Sequence, residues 1–191
     1  MRALARKERL RPRAETDKVV MTFVASRHYG GVEFYEISET LKKILSDYPL
    51  AELLIIGDID IPESFKPFAN RIEQVHCRTW QDYLKQLSKA DIHLMPLTDT
   101  LSSRNLVGIS FMMASLLQIP TVATDSKESR RLIYSGRDGI LYQTQAELAT
   151  SLEQLFNDPS LRYAQGEYAY YRIIGDRTTE KTDEAFFSIF Q

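Results

Sequence analysis

The sequence predicts an α/β fold, a Rossmann-like, doubly wound parallel sheet in a single lobe. Three observations predict it. Short apolar runs rich in β-branched residues recur along the chain, each followed by a segment of helical periodicity. The strongest of these runs are apolar at consecutive positions, as strands are when helices cover both faces of a parallel sheet. One segment, 105–118, is helical yet apolar almost all round, which suits a helix packed on several sides. Strand–helix alternation of this kind builds βαβ units.

The elements follow in order. Val19–Ser26 (VVMTFVAS) reads as a buried strand. Val32–Leu45 spaces Val32, Phe34, Ile37, Leu41 and Ile44 as a helix with one wet face. Leu53–Ile56 is a second buried strand, closed by the turn Gly57-Asp58. Pro62 and Pro67 bracket a short helical piece, and Ile72–His76 is a weaker strand. Trp80–Ala90 is amphipathic, with Tyr83, Leu84 and Leu87 on one face. Ile92–Met95 is a strand ended by Pro96. After the apolar helix Asn105–Gln118 come the strand Thr121–Thr124, a short helix Glu128–Tyr134 and the strand Ile140–Tyr142. Two amphipathic helices, Ala146–Phe156 and Pro159–Tyr171, close the domain, expected over 19–175. The tail 176–191 is polar until the apolar patch Ala185–Phe190, which is expected to dock.

Composition is that of an ordinary globular chain of 191 residues, enough for one good core, with a net charge of −2. Bulk charge gives no argument for nucleic acid. Residues 1–18 nevertheless carry seven cations against three acids. They read either as a basic arm for an anionic membrane surface or a partner, or as a solvated linker. A single cysteine, Cys77, excludes an internal disulfide and suits a reducing compartment. His28, His76 and His93 form no metal-ligand spacing, so no metal site is expected. No apolar run approaches the ~20 residues of a membrane span, and MRALARKERL lacks the apolar segment of a secretory signal.

A doubly wound sheet binds ligands at the C-terminal ends of its strands. Those ends carry arginines and hydroxyls next to helix starts, the groups that hold phosphates. Arg27, His28 and Gly30 lie in a glycine-bearing loop after the first strand, which reads either as a diphosphate cradle or as a turn needing small residues. Arg78 and Trp80 follow the third strand. Trp80 reads as a helix-start anchor, or as a ring on which a base could stack. Ser102, Ser103, Arg104 and Asn105 sit at or just before the start of the apolar helix, where an anion gains free N–H groups, the helix dipole and a guanidinium. The bland reading of the same residues is a capped, solvated loop. Met112 and Met113 read as core filler.

At this point the chain resembles the C-terminal, donor-nucleotide-binding lobe of GT-B glycosyltransferases, in particular the family 4 type of bacterial surface-polysaccharide assembly. The resemblance covers about Val19 to Ile174 and rests on matches in order. LLIIGD is similar to the family's L-x-I-x-G segment, and WQDYLKQLSKADIHLMPL to its helix, "adi" strand and proline. FMMASLLQIPTVATD resembles lEAmAxGxPVVatd, GRDGILY resembles G-x-x-G-l-l, and LEQLFNDPSLRYAQGEYA resembles the closing helices. The family's two glutamates, an E-x7-E pair holding donor sugar and ribose, correspond to Asn105 and Met113 here, so the motif is eroded. Its phosphate-binding cations are represented by Arg27, and PLTDTLSSRN follows a related loop but offers Arg104 where that loop has lysine.

The resemblance implies a cytoplasmic glycosyltransferase, at the inner face of the membrane where the basic arm meets it. It implies transfer of a sugar from a nucleotide-sugar to a surface polysaccharide or other glycan, without metal and without a cofactor, the donor being a substrate. An acceptor-holding N-terminal lobe is then expected in the parent chain or in a partner. The alternative is a catalytically degenerate module of the same fold with a structural or partner-binding role, which the eroded motif favours.

Overall fold

Runs of consecutive apolar residues become strands buried on both faces, and they define the architecture. The computed structural model describes residues 18–25, 31–97 and 101–176, with backbone alone over 101–107 and at 176. The strands are β1 (Val19–Val24), β2 (Ala51–Ile56), β3 (Ile72–Val75), β4 (Ile92–Met95), β5 (Thr121–Thr124) and β6 (Gly139–Tyr142). The helices are α1 (Val32–Asp47), α2 (Trp80–Leu87), α3 (Leu101–Leu116), α4 (Lys127–Leu132), α5 (Gln145–Asn157) and α6 (Pro159–Asp176), with a 3-10 helix over Glu63–Arg71. All strand pairs are parallel, in the order β3-β2-β1-β4-β5-β6. The predicted doubly wound sheet is the observed one.

β2 shows why the strands lack alternation. Leu53 and Ile55 enter one core with Phe34, Leu41, Ile44, Leu148 and Leu152. Leu54 and Ile56 enter the other, with Leu84, Leu87, Phe111, Met113 and Ile173. Each strand face thus meets a helix layer, α1 and α5 on one side and α2, α3 and α6 on the other. Among the described residues no helix is long and apolar enough to cross a membrane.

Several element bounds differ from the sequence reading. The 3-10 helix spans nine residues and runs past Pro67 to Arg71, longer than such runs usually are. α3 starts at Leu101, a full turn before Asn105, since no proline or glycine between Leu101 and Val107 stops it. α2 ends at Leu87 and α6 continues to Asp176. The basic arm up to Asp17 and the apolar patch Ala185–Phe190 lie outside the described residues.

α6 lies almost against the turn after α3. A Cβ on Gly166 would stand 2.0 Å from the Gln118 carbonyl oxygen. Gln118 itself adopts φ 59°, so the backbone there has little freedom to retreat. Gly166→Ala is therefore expected to destabilise the fold by about 1–3 kcal/mol, as overpacking does. Urea unfolding of the two proteins measures it; equal midpoints would show that α6 can shift at no cost.

Candidate functional site

The order of the sheet places a topological switch point between β1 and β4, with the crevice at their C-terminal ends. The chain leaves β1 toward β2 on one side and later returns to β4 on the other. Helices α1, α2 and α3 begin along this edge, so their N-termini face it.

On the β2–β3 side the edge opens into a cavity of about 360 Å³, within the range of small-ligand sites. Its walls come from Ala25 after β1, Gly57 and Asp58 after β2, and His76 to Thr79 after β3. Trp80 and Tyr83 of α2 complete it. The rings of these two residues stack, with centroids 5.1 Å apart and planes 26° apart. Trp80 remains 45% exposed, so an aromatic surface is left available at the mouth. Thr79 caps α2 by accepting from the Asp82 N–H at 3.1 Å, which fixes where the tryptophan starts the helix. The His76 Nε2 pairs with a carboxylate oxygen of Asp58 across the rim. Cys77 is half-buried in the wall, and burial pushes its thiol up, away from thiolate chemistry.

Two sequence-predicted site residues, Arg78 and Trp80, thus share this cavity. Arg27, His28 and Gly30 lie outside the described residues. Ser102, Ser103 and Arg104 fall in the first turn of α3 rather than before it, Asn105 opens the next turn, and of their side chains nothing is described. Met113 of α3 is buried at 1% exposure in the core between α3 and the sheet, as core filler is. His76 and Tyr83 join the cavity although sequence reasoning gave them no site role. Their position immediately after β3, and one turn into α2, was the signal available.

Behind the edge, polar ties hold the strand ends in place. The Leu97 N–H donates to Thr124 Oγ1 at 3.0 Å, and that hydroxyl donates to Tyr142 Oη at 3.1 Å. Deeper, His93 is fully buried, with Nδ1 3.1 Å from Thr121 Oγ1 and Nε2 3.0 Å from Ser110 Oγ. Burial pushes its imidazole down to about 4, so at neutral pH it is an uncharged link between β4, β5 and α3. Among the described residues no group of three His, Cys, Asp or Glu side chains is placed to hold a metal.

Comparison with known proteins bears on the family and the fold. A family model described as glycosyl transferases group 1 matches residues 19–158. No curated protein sequence matches the chain. Among solved structures, the C-terminal domain of a group 1 family glycosyl transferase (LpcC) from Francisella tularensis is similar, with a TM-score of 0.63 at 15% identity over 85% of this chain and 87% of that one. Anabaena HepE in complex with UDP-glucose gives a TM-score of 0.71 at 15% identity, over 98% of this chain and 52% of that one. WaaG, a glycosyltransferase involved in lipopolysaccharide biosynthesis, gives 0.70 at 16% identity, over 95% and 50%. The chain therefore spans about half the length of the latter two.

Proposed function

Because this chain belongs to the group 1 glycosyl transferases, we propose that it is a donor-binding lobe that holds a nucleotide-sugar for transfer of its sugar to a glycan acceptor. The observation that carries the reading is the cavity at the strand ends, with Arg78 in its wall and the exposed ring of Trp80 at its mouth. An aromatic face accepts a nucleobase, and base stacking of this kind contributes about 1–3 kcal/mol. From there the phosphates extend along the crevice toward the starts of α1 and α3. Arg27, His28 and Gly30 on one side, and Ser102, Ser103, Arg104 and Asn105 on the other, are the residues proposed to meet them. Cations and helix N-termini at that place stabilise the charge that grows on the departing nucleoside diphosphate. The reading uses no cofactor and no metal, since the donor is a substrate and these groups supply the positive field.

Family 4-like chemistry and a surface polysaccharide as acceptor belong to the same proposal. Support for them comes from the motif order in the sequence and from similarity to a lipopolysaccharide glycosyltransferase. An N-terminal acceptor lobe, in the parent chain or a partner, and contact of the basic arm with a cytoplasmic membrane face complete it. A second reading has one specific observation in its favour. Met113, which the sequence resemblance sets against the family's ribose-holding glutamate, is buried in the core. On that reading the lobe is catalytically degenerate and serves a structural or partner-binding role.

Trp80 is the only tryptophan, so its fluorescence reports the cavity directly. UDP, GDP, ADP and their sugars are titrated, with calorimetry alongside. One of them is expected to quench the emission, and Arg78→Ala is expected to raise its Kd about tenfold through loss of a charge-assisted contact. Neither heat nor quenching at millimolar nucleotide would reject the donor-site reading and leave the degenerate one.

A further inference from the structure

Building on the donor-site reading, we infer that Gln74 and Tyr35 are positioning residues for the nucleotide, acting through the loop Gly57–Asp60. This loop leaves β2 and forms one wall of the cavity through Gly57 and Asp58. Gly57 adopts φ +118°, and a Cβ there would stand 2.9 Å from the Ala25 carbonyl oxygen, so the loop passes hard against the end of β1. From β3, Gln74 Nε2 donates to the Gly57 carbonyl at 3.0 Å and to the Ile59 carbonyl at 3.1 Å. One amide group thus satisfies two loop carbonyls. From α1, the Tyr35 hydroxyl donates to the Asp60 carbonyl at 2.9 Å. The Ile59 side chain closes the arrangement against Gly31, the N-cap of α1, where a Cβ would meet Ile59 Cγ2 at 2.8 Å.

The loop is therefore held at both ends and does two things at once. Its first half shapes the cavity wall. Its second half buttresses the first turns of α1, whose N-terminus stands at the crevice. A nucleotide with its base in the cavity and its phosphates along the crevice spans the same two places, so the loop sets the distance between them. Neither Gln74 nor Tyr35 needs to touch the nucleotide. Both act by fixing two binding elements in one geometry, the preorganisation on which affinity depends.

The two residues hold different halves, and that makes the inference testable. Gln74→Leu removes the amide under the cavity wall. Tyr35→Phe removes only the hydroxyl that ties the loop to α1. The full chain and both variants are titrated with UDP, GDP and ADP and with the corresponding nucleosides, following Trp80 fluorescence, and circular dichroism checks that each variant is folded. Gln74→Leu is expected to raise the Kd of nucleoside and nucleoside diphosphate alike, by about tenfold. Tyr35→Phe is expected to raise the nucleoside diphosphate Kd about three- to tenfold and leave the nucleoside Kd within about twofold. A merely structural role would lower the unfolding midpoint and move neither Kd. If the parent chain binds a nucleotide and both folded variants bind it equally well, this inference is overturned and the donor site stands. If the parent chain binds no nucleotide, the donor-site reading falls and this inference falls with it.

Discussion

Replacing Arg172 with methionine is expected to cost about 3–5 kcal/mol of stability at neutral pH, the usual penalty for removing one partner of a buried ion pair. Asp138 is fully buried in the turn before β6, and the Arg172 guanidinium reaches it from α6 across 34 residues of sequence. The same guanidinium donates to the Leu132 carbonyl and lies over the rings of Tyr134, at 4.6 Å, and Phe111, at 5.5 Å. Asp138 also accepts from the Tyr134 N–H at 2.6 Å, so its carboxylate organises the turn Tyr134–Gly139 as well as the helix. Burial pushes the Asp138 carboxyl up, and the guanidinium opposes that push. Without Arg172 the folded carboxyl rises further above its unfolded value. A carboxyl raised in this way withdraws stability as pH climbs through its folded pKa, so the defect of Arg172→Met should shrink in mild acid. Urea unfolding at pH 7 and pH 5 tests both statements. Adding Asp138→Asn should recover much of the loss, because it removes the stranded charge. A single variant as stable as the parent would mean that water reaches Asp138 and the pair is not buried in solution.

The second large effect is an acid one. His93 has a folded pKa of about 4 against an unfolded value near 6.5. Between those limits the unfolded chain binds more protons than the folded one. The neutral histidine's stability is therefore fully present above about pH 6.5 and is lost as pH falls toward 4. Integrated over that window the loss is about 3 kcal/mol. The physical cause is confinement: the ring is fully buried, with Thr121 and Ser110 at its two nitrogens. His93→Gln retains a polar side chain but cannot titrate. Its unfolding free energy should fall less steeply from pH 6.5 to 4 than that of the parent. Parallel profiles would show that other groups carry the acid sensitivity.

The candidate site was legible in the sequence to the extent that local pattern and topology could mark it. Arg78 and Trp80 were readable because they follow a strand and open a helix, and in a parallel sheet every such junction lies on one edge. Tyr83 was not, since its place in the cavity depends on how α2 packs against β2; His76 was read as the last residue of its strand, whereas β3 ends at Val75 and leaves His76 on the edge. The start of α3 was misread by a turn because Ser102, Ser103 and Asn105 look like capping residues, yet serine and asparagine also continue a helix at small cost. The burial of Met113 followed from its setting in a helix apolar almost all round.

The alternation of apolar runs and helical periods by itself determined the strands, the helices and the parallel, doubly covered sheet. These depend on contacts between near neighbours and on the sheet faces that a run of apolar residues must bury. Only the tertiary structure decided which distant polar groups meet. The Asp138–Arg172 pair, the His93 link to Ser110 and Thr121, the contact of Gly166 with Gln118, and the hold of Gln74 on the Gly57–Asp60 loop all join separate elements. Their reason is directional: a hydrogen bond or a backbone contact needs a partner at one distance and angle. Periodicity sets which face of an element is buried and is silent on what lies opposite.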